Sequence, residues 1–189
     1  MTPRRVLPLL ASALLLGGCG GGLQAERATG GYVQGDYGIS VVPVDEREPA
    51  PEVSGETLDG EPIALDDFAG QVVLINIWGS WCGDCRVETD DLVEAEAELR
   101  ADGVAFLGID IRDDRSAALR YEAANDVSWP SIYDPSSSAL LGFRGSMTAA
   151  STPTTYVVDE EGRLAARLLG AQSAGTFVGV VEDVSGGGG

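Results

Sequence analysis

Cys82 and Cys85 are the residues of this chain whose type and spacing suit chemistry. Side chains at i and i+3 share one face of a helical turn, so both sulfurs can close a small disulfide ring. The segment Trp81-Cys82-Gly83-Asp84-Cys85 stands where an apolar run gives way to a helical pattern. A helix start presents unbonded N–H groups and the positive end of the helix dipole. Both favour a thiolate at Cys82, and the thiolate is the form that attacks a disulfide. Cys82 would then form a mixed disulfide with substrate. Cys85, one turn further in, would attack Cys82 and release reduced substrate.

Other uses of the pair are narrowed by what the chain lacks. It has 189 residues, 3 Cys and no His. Half a zinc site would need a second Cys pair or His to complete it, and haem attachment would need His where Arg86 stands. A two-thiolate copper site stays open. A purely structural disulfide would constrain very little chain. Ser-His-Asp and Cys-His catalysis are excluded by the absence of His. All 12 basic residues are Arg, so Schiff-base chemistry and a phosphate-loop lysine are excluded as well. A net charge of −18 argues against a nucleic-acid binder, which needs a basic face.

The elements that must position the cysteines follow from periodicity. Residues 72–78 form a nearly continuous apolar run, read as a central strand buried on both faces. From Asp84 to about Arg100 the pattern is helical, with Val87, Leu92, Ala95 and Leu99 toward a core and Gly103 as the stop. Residues 104–110 give a second buried strand. Residues 116–125 give a helix with Ser116 as N-cap. Residues 131–133 suit a short strand and 137–143 a short helix. Residues 154–158 and 163–169 are strands joined by a turn over 159–162, and 176–184 is a closing helix. Ahead of these, the Asp59-Gly60 turn between apolar positions signals a hairpin. Strands alternating with helices, then a hairpin and a helix, imply a mixed sheet with helices on both faces.

The N-terminus reads as an address. Arg4 and Arg5 precede an apolar stretch over 6–16, too short for the roughly 20 residues of a membrane span but suited to a secretory leader. Leu16-Gly17-Gly18-Cys19 resembles a bacterial lipobox, which implies cleavage before Cys19 and a lipid on its sulfur. The expected organisation is a signal peptide over 1–18 and a lipid-anchored flexible tether over 19–48, where Tyr32, Val33, Tyr37, Ile39, Val41 and Val42 offer a short strand as the alternative to a plain tether. The domain would occupy 49–185, with a disordered tail at 186–189. Removing two arginines from a charge of −18 leaves −20. The tethered domain would therefore gain nothing from anionic headgroups, and acyl chains would carry the anchoring.

Residues 72–86, with Trp78, Trp81, Cys82, Gly83 and Cys85, resemble the thioredoxin fold, and more narrowly the extracytoplasmic TlpA/ResA-like thiol–disulfide oxidoreductases. Thr152-Pro153-Thr154-Thr155-Tyr156-Val157-Val158-Asp159, followed by Gly162, resembles that family's cis-proline segment. The resemblance implies a cis Pro153 packed beside the cysteines and a Thr152 backbone that pairs with an extended substrate. Asp110 and Pro153 are 43 positions apart, more than a minimal thioredoxin needs, and a central insertion there marks this group. Asn76 stands where cytosolic thioredoxins carry a buried Asp. Glu88 matches an acid some relatives place near the site; it either moves protons to and from Cys85 or is a solvated helix residue. Asp84 replaces the family's usual proline. Its carboxylate opposes a nearby thiolate yet favours the helix start. Asp90 replaces a second usual proline, which favours a straighter helix.

The resemblance implies a membrane-tethered, extracytoplasmic enzyme that reduces disulfides in exported proteins, apocytochrome c among them. It needs no cofactor beyond its own cysteine pair. Its expected partners are protein disulfide or thiol substrates and a membrane electron donor that regenerates the dithiol, and the chain is expected to be a monomer. The alternative is a non-enzymatic lipoprotein of the same fold, either copper-binding or redox-silent. Peroxide reduction is a third option.

Overall fold

Val73–Trp78 has every residue buried, as its unbroken apolar sequence requires, and it lies near the middle of the main sheet. The structure is a computed structural model and describes residues 38–143 and 151–186, with the short strands 27–28 and 32–34. In chain order the strands begin with β1 (Arg27–Ala28), β2 (Tyr32–Gln34), β3 (Ile39–Val41), β4 (Ser54–Glu56), β5 (Pro62–Ala64) and β6 (Val73–Trp78). Helix α1 (Gly83–Leu99), β7 (Ala105–Ile111), α2 (Arg115–Ala124) and β8 (Ser131–Asp134) follow. The chain closes with β9 (Thr154–Val158), β10 (Leu164–Leu169) and α3 (Ala174–Ser185).

The main sheet has the order β1-β2-β3-β10-β9-β6-β7-β8. β6, β7 and β8 are parallel, and β9 joins β6 antiparallel. This is the mixed central sheet of a thioredoxin fold. β4 and β5 form the separate hairpin expected around Asp59-Gly60, and Gly60 adopts φ 89°, the left-handed turn conformation glycine tolerates.

Alternation along β6 sends Leu74 to one face, against Leu92, Ala95 and Leu99 of α1 and Phe177, Val181 and Val184 of α3. Those α1 positions recur at helical spacing, which is why one stripe of a very acidic helix can be buried. Val73, Ile75 and Ile77 meet the other core, with Val53, Phe143 and Tyr156; Ile63, Leu65 and Phe68 of the hairpin and the following one-turn helix pack against it. Each such buried aliphatic or aromatic side chain contributes about 1.5–3 kcal/mol.

Several boundaries differ from the sequence reading. The N-cap of α2 is Asp114, not Ser116: its carboxylate accepts the Ala117 N–H at 3.0 Å, and Ser116 instead donates to Asp114. The segment over 137–143 forms only a single 3-10 turn, Ala139–Leu141. Gly186 belongs to the end of α3, donating its N–H to Glu182 at 2.8 Å.

The largest correction concerns the expected tether. β3 pairs antiparallel with β10, and Ser40 and Val42 are buried. Arg47 donates to the carboxylate of Asp159 at 3.1 Å, with both side chains 3% exposed. The domain therefore begins at least ten residues before Pro49, because alternation too short to stand alone is completed by an open sheet edge. The expected leader over 1–18, Cys19 and residues 187–189 lie outside the described residues.

Candidate active site

β6 delivers the chain to the edge of the sheet, and the residues after it make the turn that carries the cysteines. Gly79 lies under the Trp81 indole, where a side chain would collide with the ring. Trp81 Nε1 donates to the Ile111 carbonyl at 3.0 Å, and the Arg112 guanidinium lies 4.9 Å from the ring centre. The indole is thus held in place while remaining 48% exposed. The Ser80 N–H is taken by the Asp113 carboxylate, which fixes the loop from the β7 side.

Cys82 is the N-cap of α1, and its Sγ accepts the Cys85 N–H at 3.1 Å. This is an unbonded donor of a helix start aimed at sulfur. Cys82 and Cys85 form a disulfide with Cα atoms 5.3 Å apart. Both cysteines are almost fully buried, packed with Leu58, Trp78, Ala118 and Tyr121. Gly83 and Asp84 are exposed in the first turn.

Behind Cys85 lies a polar network. Glu88 is 1% exposed, far from the solvated position that was one of its two readings. Its Oε2 accepts from Asn76 Nδ2 at 3.1 Å, and its Oε1 accepts the Gln172 N–H at 3.1 Å. Asn76 also donates to Thr155 Oγ1 at 3.0 Å. Burial pushes the Glu88 carboxyl up to about 7, against the lowering effect of its two hydrogen bonds. Thr89 donates to the Cys85 carbonyl at 2.8 Å and accepts from Tyr121 at 2.6 Å. A void of about 10 Å³, near the smallest that holds one water, is bounded by Asn76, Cys85, Thr89 and Tyr121.

A second buried acid stands on the other side. Asp110 pairs across the ladder with Trp78, is 0% exposed, and among the described residues has no hydrogen-bond partner for either carboxylate oxygen. Burial, and after it the charge of Asp113, push its carboxyl up to about 8; Glu122 and Asp134 add to the shift. The sequence pattern gave no sign of this residue beyond its place in an apolar strand.

Thr152–Pro153 is a cis peptide bond, as the resemblance implied. The register Ile77–Thr154 puts it beyond the β6 end that leads into the cysteine turn. Pro153 is buried and Thr152 half-buried, and the Pro153 carbonyl accepts the Gly170 N–H at 2.9 Å. Sequence reasoning missed Thr89, Tyr121, Thr155 and Gln172 of this neighbourhood. Only Tyr121, a large polar aromatic in a helix of small residues, offered a local signal.

The family model described as AhpC/TSA matches residues 47–167, which includes the cysteines and Pro153. The chain belongs to the AhpC/TSA family. Within it, this AhpC/TSA member is 30% identical over 137 residues to "Thioredoxin-like protein YneN" of Bacillus subtilis, covering 71% of this chain and 77% of that protein. It is 24% identical over 136 residues to "Thiol-disulfide oxidoreductase ResA" of Bacillus cereus, covering 72% of this chain and 76% of that one. Among solved structures, a secreted thiol-disulfide isomerase from Corynebacterium glutamicum superimposes with a TM-score of 0.71 at 36% identity, covering 78% of this chain and 89% of that chain. With these relatives and a Cys-x-x-Cys disulfide on a thioredoxin fold, this AhpC/TSA protein is a thiol–disulfide oxidoreductase. No helix among its described residues is long and apolar enough to cross a membrane.

Proposed function

We propose that the chain is an extracytoplasmic, membrane-tethered enzyme that reduces disulfides in exported proteins, with Cys82 as nucleophile and Cys85 as resolving thiol. The observation that carries the assignment is the position of Cys82 at the N-cap of α1, its sulfur accepting the Cys85 N–H. The Cys82 thiolate attacks one sulfur of a substrate disulfide and expels the other as a thiolate. Cys85 loses its proton and attacks Cys82, which releases the second substrate sulfur. The substrate gains two electrons and the enzyme ends as the Cys82–Cys85 disulfide. Glu88 supports this as a proton carrier for Cys85, because a carboxyl near 7 changes protonation at neutral pH and sits one hydrogen bond from the void behind Cys85. The exposed Trp81 and the Thr152 backbone flank the substrate, and Pro153 shapes that edge.

The tether is the lipid on Cys19, the reductant a membrane dithiol donor, and the working unit a monomer with no further cofactor. Exported thiol proteins, including apocytochrome c, are the substrate class.

Replacing Cys85 with Ser removes the resolving thiol and leaves substrate bound to Cys82. Mass spectrometry of the trapped species in cells producing the full chain reads both substrate and compartment. Capture by Cys85 in a Cys82→Ser variant, with none by Cys82, would reverse the assignment. Cu(I) titration of the reduced protein tests the copper alternative, which requires tight binding without exchange.

A further inference from the structure

With 30 acidic residues against 12 arginines, an arginine in this chain has many carboxylates within reach. Arg47, Arg100, Arg115 and Arg163 each have one within 3.5 Å. Among the described residues Arg112, which lies against the Trp81 ring, has none, and neither do Arg86 and Arg120. Arg86 and Arg120 line one open pocket of about 450 Å³ between the first turn of α1 and α2, with Ser80, Tyr121 and Asn125. Neutral groups hold both side chains. Arg86 Nε donates to the Ser80 carbonyl at 3.2 Å, and its guanidinium lies 5.4 Å from the Tyr121 ring centre. Arg120 Nη1 donates to Ser116 Oγ at 3.1 Å. The carboxylate that bears on Arg120 is Asp114, linked through Ser116. A guanidinium has five N–H donors, so each keeps most of them for a ligand.

The pocket adjoins the disulfide. Arg86 follows Cys85 in sequence, its N–H donates to the Cys82 carbonyl at 3.3 Å, and Tyr121 packs in one cluster with Cys82 and Cys85. We infer that this pocket receives the carboxylate of an acidic side chain next to the cysteine of a substrate polypeptide. The inference rests on the thiol–disulfide exchange proposed above and specifies the substrate class of that same site. Two guanidinium forks suit a carboxylate, which accepts paired, charge-assisted hydrogen bonds from each. The pocket's volume takes an acidic side chain with its flanking backbone. Its positive charge also offsets, at the point of docking, the repulsion that a chain of net charge −18 exerts on an acidic partner.

The test uses the oxidised full chain and two capped, cysteine-free peptides, Gly-Ser-Glu-Gly and Gly-Ser-Gln-Gly, titrated against tryptophan fluorescence. The Glu peptide binds about tenfold more tightly than the Gln peptide, a factor in reach of one good charged pair. Salt reduces that ratio, Arg120→Gln brings it close to one, and Arg120→Lys leaves it between the two. Among the described residues Arg120 bonds only the surface Ser116, so its variants should fold; Arg86→Gln is the second variant. Separate disulfide-linked peptides with Glu or Gln beside a cysteine, offered to the reduced full chain, show the preference in KM rather than kcat. Equal binding of the two peptides, or a Glu preference that survives both arginine variants, overturns the inference. Because the cysteine-free peptides cannot react, charge-dependent binding without exchange overturns the exchange reading alone. Exchange without charge dependence overturns the pocket alone.

Discussion

Glu88 and Asn76 are bonded to one another in the interior, Asn76 Nδ2 donating to Glu88 Oε2 at 3.1 Å, directly behind the Cys82–Cys85 turn. The amide orients the carboxyl but does not neutralise it. Burial therefore decides its acidity, and the acid titrates near 7 rather than near 4.5.

The first prediction follows from that shift. Between pH 4.5 and about 7 the folded chain holds a proton on Glu88 that the unfolded chain has lost, so stability falls as pH rises through this window. Above it the cost is on the order of 3 kcal/mol. Glu88→Gln removes that cost and loses about 1 kcal/mol from one unmatched hydrogen bond. The variant is more stable than the parent at pH 8 and no more stable at pH 4.5, read by urea denaturation. In the same variant the step near pH 7 in the disulfide-exchange rate is absent.

Asp110 makes the same argument with a different outcome for function. Its folded acidity lies near 8 against 3.8, so it holds a proton through the neutral range, and stability falls as pH rises toward 8. Among the described residues neither oxygen has a hydrogen-bond partner to lose. Asp110→Asn therefore matches the parent at pH 4 and exceeds it increasingly up to pH 9, read by thermal melts across that range. Its exchange rate on an uncharged disulfide keeps the step near pH 7, because that step belongs to Glu88.

Asp84 lies exposed in the first turn of α1, one residue before Cys85. Its carboxylate opposes a thiolate in the reduced enzyme and has no thiolate to oppose in the disulfide form. Asp84→Asn raises the midpoint potential by on the order of 10 mV, since an exposed charge is worth only about 0.2–1 kcal/mol and ~30 mV corresponds to ~1.4 kcal/mol. Asp84→Pro, which also changes the backbone of the turn, shifts it by tens of millivolts. Redox titration against glutathione measures both, and identical midpoints would refute the charge argument.

Asp159 ties the N-terminal segment to the hairpin after β9. Its carboxylate accepts from Arg47 and Arg163 and from the Glu161 and Arg163 N–H groups, which hold its acidity below 3.8 despite burial. The stability it contributes is present above pH 3.8 and is lost as pH falls through its lowered folded value. Asp159→Ala leaves the Arg47 guanidinium buried and unpaired, at a cost of about 3–5 kcal/mol. Chemical denaturation at pH 7 reads that loss, which shrinks toward pH 3.

Much of the fold was legible because local pattern and tertiary role agree. Residues 73–78 are apolar on both faces and are buried on both. The helix after Cys85 places Leu92, Ala95 and Leu99 on one stripe, and that stripe is buried. Val87 shared the apolar count but is 69% exposed, because it falls outside the stripe that faces the sheet. The strand over 39–41 was legible only as one option for apolar residues in a segment whose plainer reading was a tether. Three residues carry too little alternation to signal a strand, and although β2 pairs with one edge, the β10 partner that joins it to the main sheet lies more than 120 positions away.

By itself the sequence placed two cysteines at i and i+3 at a strand-to-helix junction, a spacing suited to disulfide exchange, and with the Thr-Pro-Thr segment downstream its resemblance to thioredoxin-fold oxidoreductases implied the reaction type and the fold. Those signals are local, written in spacing and in the conformational limits of a helix start and a proline. Only the tertiary structure decided the acidity of Glu88 and Asp110 and the pairing of Arg47. It alone brought Arg86 and Arg120 to one pocket. Each of these depends on which groups from distant parts of the chain exclude water or supply charge around a side chain, and one-dimensional spacing does not carry that information.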